Sequence, residues 1–135
     1  MNTENIKIKD ICTLGIDNFK KNNFLEAENL FKKIINIKPD HEEANFFLGL
    51  VQANANNFNK AKEFFNKTIE INVNHIDAYY NLGIIFDIQR QYQKSIEYYK
   101  KAIDLNPNFA IAYNNLGIIF YKIREYEKAI ECYKK

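Results

Sequence analysis

Residues able to do chemistry are few in this chain and badly placed for it. The two histidines, His41 and His75, stand 34 positions apart. If each belongs to an equivalent point of neighbouring packed helices, roughly 10 Å separates them, the usual distance between helix axes. A shared metal ion needs ligand bonds near ~2 Å, so the pair reads as surface loop histidines. The two cysteines, Cys12 and Cys132, lie near opposite ends of the chain, and joining them would close almost the whole molecule on itself. Both read as free thiols of a reducing compartment. No histidine is placed in the sequence to activate Cys12, and Cys132 sits between Glu131 and Tyr133, so neither is read as a nucleophile. No P-loop, G-x-G-x-x-G or H-E-x-x-H pattern occurs. The sequence therefore predicts no catalytic residue, no cofactor and no metal ligand.

Charge narrows the partners further. With 19 basic and 17 acidic side chains the net charge is only +2, too little to draw a polyanion, so neither nucleic acid nor a membrane surface is expected as a partner. The pairs Lys32-Lys33, Lys100-Lys101 and Lys134-Lys135 recur in register. However, Glu63, Glu97 and Glu131 stand four residues before Lys67, Lys101 and Lys135, the favourable order for ion pairs along one helix. These lysines read as a solvated outer face. No apolar run approaches the ~20 residues that cross a bilayer, and the N-terminus lacks the apolar centre of a signal peptide. A cytoplasmic location is expected.

The elements that must position any site are helices. Tyr79, Leu82, Gly83 and Phe86, then Tyr92, Ile96, Tyr99 and Ile103, step by three and four residues, the spacing of two amphipathic helices. The polar pairs Asn22-Asn23, Asn56-Asn57, Arg90-Gln91 and Arg124-Glu125 separate such helices. Asparagine tolerates the left-handed conformation that folds a chain back on itself, so each pair of helices is expected to form a hairpin. Between hairpins lie KPDH, NVNH and NPNF. Pro39 and Pro107 cannot continue the helix before them but are accepted in the first turn of the next. Val73 replaces proline in the middle junction and should weaken the stop without moving it.

These hairpins repeat. Gly15, Gly49, Gly83 and Gly117 follow one another at intervals of 34, each preceded by a leucine, Leu14, Leu48, Leu82 or Leu116. Twelve residues after each glycine comes Ala27, Ala61, Ser95 or Ala129, and four further on Phe31, Phe65, Tyr99 or Tyr133. The glycine lets the first helix approach the second closely, and the small residue fills their crossing point. The frame is an N-terminal extension 1–7, then repeats 8–41, 42–75, 76–109 and a truncated 110–135.

The 34-residue period and the Y-x2-L-G motif in DAYYNLGIIF and AYNNLGIIF resemble the tetratricopeptide repeat over residues 8–135. The resemblance implies an all-α fold, an α-solenoid of stacked antiparallel helical hairpins winding into a right-handed superhelix. It also marks departures. Ile11 and Asn45 stand where Tyr79 and Tyr113 supply an aromatic, and Asn18 and Gln52 where Phe86 and Phe120 do. Each polar replacement should forgo on the order of 1–3 kcal/mol of burial, making the N-terminal half the softer one and the first repeat degenerate. The faces around Ile130 and Tyr133 lack the polar capping helix of such arrays, so the chain is expected to be a fragment or to self-associate through that uncapped C-terminal end.

The same resemblance places function on the first helix of each hairpin, which lines the concave surface. Its positions here are Thr13 and Ile16, then Phe46, Phe47 and Leu50. They continue with Asp77, Tyr80, Asn81, Ile84 and Ile88, and then Asn114, Asn115, Ile118 and Tyr121. What it implies is a protein–protein interaction module whose apolar and aromatic groove holds an extended or helical peptide segment of a protein partner. Asn81 and Asn115, equivalent positions of successive repeats, resemble the asparagine ladder of O-GlcNAc transferases. That supports an alternative, the substrate-docking arm of a larger O-linked GlcNAc transferase-like glycosyltransferase. The cations that clamp chaperone tails in related domains are missing: the matching positions hold Cys12, Ile16, Asp77 and Asn81, or, one repeat on, Phe46, Leu50, Ile111 and Asn115.

Overall fold

The three-and-four spacing becomes eight α-helices in the computed structural model, which describes residues 2–135. They are α1 (Thr3–Lys20), α2 (Phe24–Ile37), α3 (Glu42–Asn54), α4 (Phe58–Ile71), α5 (Ile76–Ile88), α6 (Tyr92–Leu105), α7 (Ala110–Lys122) and α8 (Tyr126–Tyr133). No strand occurs among the described residues. The chain divides into two compact units, Met1–Val73 with α1 to α4 and Asn74–Lys135 with α5 to α8. In each unit two hairpins, α1–α2 and α3–α4 or α5–α6 and α7–α8, pack side by side through α2 on α3 or α6 on α7.

The turns inside the hairpins owe their shape to one residue each. Asn22, Asn56, Arg90 and Arg124 adopt φ of 63°, 61°, 59° and 65°. In every turn the amide of the next residue reaches back five positions to a helix carbonyl, as from Asn57 to Gln52 and from Gln91 to Phe86, both 2.8 Å. These bonds satisfy carbonyls that a helix end leaves open. Between hairpins, α4 ends at Ile71, in the register of α2 at Ile37 and α6 at Leu105, so Val73 leaves the stop in place. Pro39 and Pro107 lie outside both helices, three residues ahead of the next one, instead of in its first turn.

Gly49 and Gly83 show why the hairpins are tight. A Cβ on Gly49 would fall 2.6 Å from the Phe65 ring, and one on Gly83 2.7 Å from the Tyr99 ring. The glycine and the aromatic sixteen residues later are thus one contact, and Ala61 and Ser95 beside it are fully buried. Ser95 Oγ also donates to the Gly83 carbonyl at 2.7 Å. The first unit's core gathers Ile8, Cys12, Phe31, Ile34 and Leu48, and a core of the second Ile96, Tyr99, Leu116, Ile119 and Phe120. Leu14 breaks the pattern at 51% exposed. Its counterparts Leu48 and Leu116 close against the preceding α2 and α6, and no described helix precedes α1.

Four further expectations change on contact with the structure. The histidines are not free in loops: His41 Nδ1 accepts from the Ala44 amide and His75 Nδ1 from the Ala78 amide, both at 3.1 Å, capping α3 and α5. Asn45 and Gln52, read as losses of burial, are themselves buried and hydrogen-bonded. The lysines pair differently too, Lys67 with Glu70 at 3.7 Å, while Lys101 Nζ lies 5.7 Å from the centre of the Tyr79 ring. Helix α1 starts at Thr3 and so extends into the segment 1–7 set aside as an extension.

Candidate functional site

In the second unit, α5 and α7 are tied to each other by two side-chain bonds, one of them between candidate residues. Asn115 Nδ2 donates to the Tyr80 hydroxyl at 3.1 Å, and Lys122 Nζ donates to Asp87 Oδ1 at 3.0 Å. Tyr80 is half-buried, its ring 5.0 Å from that of Phe109 and 5.9 Å from that of Tyr99. Burial, then the nearby Asp87 charge, pushes the Tyr99 phenol above its usual range, although hydrogen bonds with Asn115 and Ser95 pull the other way. Ile84 is half-buried against the same core. What remains open to a partner is Ile88 at 55% exposure, Ile118 at 38% and Tyr121 at 62%, with Asp77 and Asn114 exposed beside them in sequence register.

The two asparagines of the expected ladder already have internal work. Asn81 Nδ2 donates to the Asp77 carbonyl at 2.7 Å, and Asn115 holds Tyr80. An amide carries two donor hydrogens and a carbonyl with two lone pairs, so each retains capacity for one more contact. Phe46, Phe47 and Leu50 of the first unit are half-buried. Phe47 stacks on Phe31 and meets Phe19 edge-on, both at 5.3 Å, while Phe46 lies 5.8 Å from Phe65. Much of their ring area serves the hairpins themselves.

Asp87 and Lys122 escaped the sequence reading, and so did the contact of Tyr80 with Asn115. Both pairs are 35 residues apart, one more than the period. The signal was available: first helices of adjacent hairpins meet at i and i+35, so an opposite-charge pair at that interval marks the shared face.

A cavity of about 320 Å³ opens in the first unit, lined by Lys9, Cys12, Thr13, Lys38, His41 and Glu43 among others. It brings Cys12 and His41 together, which their separation in sequence concealed. The pair is not a nucleophilic dyad. His41 Nδ1 is occupied by the Ala44 amide, and the Cys12 thiol approaches Glu43 Oε2 at 3.8 Å. Burial first, then the Glu43 charge and hydrogen bond, push Cys12 up to about 11, so it stays a thiol at neutral pH. Burial and Glu131 raise Cys132 as well.

Antiparallel hairpins of fixed length, each closed by a glycine–aromatic contact, define a helical repeat protein. Sequence profiles described as tetratricopeptide repeat match residues 19–83, 76–109 and 110–135. The chain belongs to the tetratricopeptide repeat family, whose repeats mediate protein–protein interaction, and it is an interaction module of that kind. Comparison with curated proteins gives no match. Among solved structures, MamA superposes with a TM-score of 0.89 at 25% identity, over 94% of this chain and 74% of that one. A MamA fragment from Desulfovibrio magneticus RS-1 gives 0.85 at 24%, over 94% and 72%. The O-GlcNAc transferase of Thermobaculum terrenum gives 0.82 at 21%, over 89% of this chain but 23% of that enzyme. No helix among the described residues is long and apolar enough to cross a membrane.

Proposed function

We propose that the module holds an extended or helical segment of another protein on the first-helix faces, above all on α5 and α7. The observation that carries this is the exposure of Ile88, Ile118 and Tyr121 on helices whose other large apolar residues, Ile111 excepted, are buried or half-buried. Large side chains left in water on an otherwise consolidated face mark a binding surface, and a partner's side chains would be anchored there. Asp87 and Lys122 give the same face one charge of each sign, and the spare capacity of Asn81 and Asn115 suits a peptide backbone. Phe46, Phe47 and Leu50 supply the corresponding face in the first unit.

Because Tyr80 supports Asn115 and Phe109, its replacement would disturb the fold, and the cleaner test uses Ile88→Asp and Tyr121→Asp. Affinity capture should lose its principal partner with either variant while the thermal melt stays near wild type. Undiminished capture by both would contradict the reading. A second reading, the substrate-docking arm of a glycosyltransferase, draws on the Thermobaculum terrenum enzyme, of which this chain covers 23%. It requires a catalytic domain in the same polypeptide, which sequencing the surrounding gene decides.

A further inference from the structure

Cys12 and His41 precede Tyr80 and Phe109 by 68 positions, two full repeat lengths. In the second unit the later pair fills its own space, with ring centres 5.0 Å apart. In the first unit a thiol and an imidazole stand at those positions, and the volume the rings would take is left as the cavity of about 320 Å³. Pockets that hold small organic groups begin at about 300 Å³. The walls differ as well: Lys9 and Lys38 replace Asp77 and Asn106, and both line the cavity with Ile8 and Ile16. Since His41 Nδ1 accepts the Ala44 amide, the proton of the neutral ring resides on Nε2, which is left as a donor.

We propose that this cavity is the seat for an aromatic side chain of a partner polypeptide, a tyrosine, whose ring takes the space that Tyr80 and Phe109 occupy in the second unit. Three features select that occupant. The molecule shows at the equivalent place that rings fit the backbone. Lysine over a ring is a contact it uses elsewhere, as Lys94 over Phe86 at 5.5 Å and Lys122 over Tyr92 at 5.7 Å, and such contacts are attractive. A phenol oxygen can accept from lysine or from His41 Nε2, which an aliphatic side chain cannot do. The Glu43 carboxylate on the same wall offsets part of the charge of Lys9 and Lys38, and a small carboxylate would leave the ring-sized volume unfilled, so it is the poorer occupant.

The seat is separate from the α5–α7 face, and the test keeps the two apart. The full chain is titrated with N-acetyl-tyrosinamide, N-acetyl-leucinamide and acetate while amide resonances are followed by NMR. Tyrosinamide should shift Cys12, Thr13 and Ile16 in a saturable manner, at severalfold lower concentration than leucinamide or acetate. Cys12→Tyr with His41→Phe rebuilds the second unit's pair and should abolish those shifts. Lys9→Glu, at an exposed position, should weaken them and covers the case in which the double variant fails to fold. Ile88→Asp and Tyr121→Asp should leave them unchanged. Equal response to leucinamide or acetate, shifts confined to other residues, or Lys9→Glu binding like wild type would overturn the proposal.

Discussion

At matching positions of the repeat, α3 of the first unit buries two amides where α5 of the second buries two rings. Asn45 donates to the carbonyls of Pro39 and His41 at 3.0 and 2.8 Å. Gln52 donates to Glu28 at 2.9 Å and accepts from Asn57 at 3.0 Å. Both amides thus fasten helix to loop: Asn45 holds the junction ahead of α3 and Gln52 the turn after it. Tyr79 and Phe86 instead flank Tyr98, with ring centres 6.3 and 5.3 Å away, and Lys94 and Lys101 lie over Phe86 and Tyr79. A buried polar group costs little when its partners are in place and much when one is removed. The register of the repeat therefore fixes which positions are interior, while neighbouring residues decide whether an amide or a ring belongs there.

Breaking each solution should cost different amounts. Phe86→Ala removes a ring stacked on Tyr98 and should destabilise by about 3–5 kcal/mol in urea unfolding; a loss below about 1 kcal/mol would mean the ring contributes little to the core. Gln52→Ala should cost about 1–3 kcal/mol, because it removes a hydrogen bond to the charged Glu28 and a second one to Asn57. A double-mutant cycle of Gln52 with Glu28 sharpens this, with a coupling of about 0.5–3 kcal/mol expected for side chains in contact.

The α3 cap adds a pH dependence. His41 titrates below its ordinary 6.5 when folded, chiefly through burial, with Lys38 acting in the same direction against Glu43, Asp40 and Glu42. The unfolded chain therefore takes up the proton first as pH falls below about 6.5, and stability declines until the folded imidazole is protonated too. Protonation also removes the Nδ1 acceptor that caps α3. His41→Asn keeps a capping oxygen without the titration, so the loss in stability between about pH 7.5 and pH 5 should be smaller than in wild type. Equal losses in the two proteins would remove His41 from the account.

The smallest effect concerns the turns. The first unit places Asn22 and Asn56 at positive φ, the second Arg90 and Arg124. A left-handed conformation is costly for residues other than glycine and, to a lesser degree, asparagine. Arg90→Asn should therefore raise the midpoint of unfolding by up to about 1 kcal/mol equivalent, and Asn56→Arg should lower it comparably.

Paired helices, hairpin turns and the close approach at each glycine were legible because each follows from spacing along the chain; that the ring sixteen residues on, as Phe65 on Gly49, fills that approach was not. Partner choice was not. That Gln52 finds Glu28, or Asn115 the Tyr80 hydroxyl, depends on rotamers and on which side chains of a neighbouring helix lie within reach. His41 and His75 were misread because capping by Nδ1 depends on the backbone bend ahead of a helix, which composition does not reveal. The cavity beside Cys12 is a deficit of volume, visible only after the equivalent Tyr80 and Phe109 have been seen to fill theirs. The groove positions followed from the resemblance, but spacing alone could not show that Tyr80 and Phe47 are partly engaged in packing while Ile88 and Tyr121 stand open.

The most direct test places a photoreactive benzophenone side chain at position 88 or 121 and, for contrast, at position 94 beside the ring of Phe86. Irradiation in the native cell extract should join a partner polypeptide to the protein at 88 and 121 and not at 94. Adducts at 94 with none at 88 or 121 would contradict the assignment of the binding surface to α5 and α7.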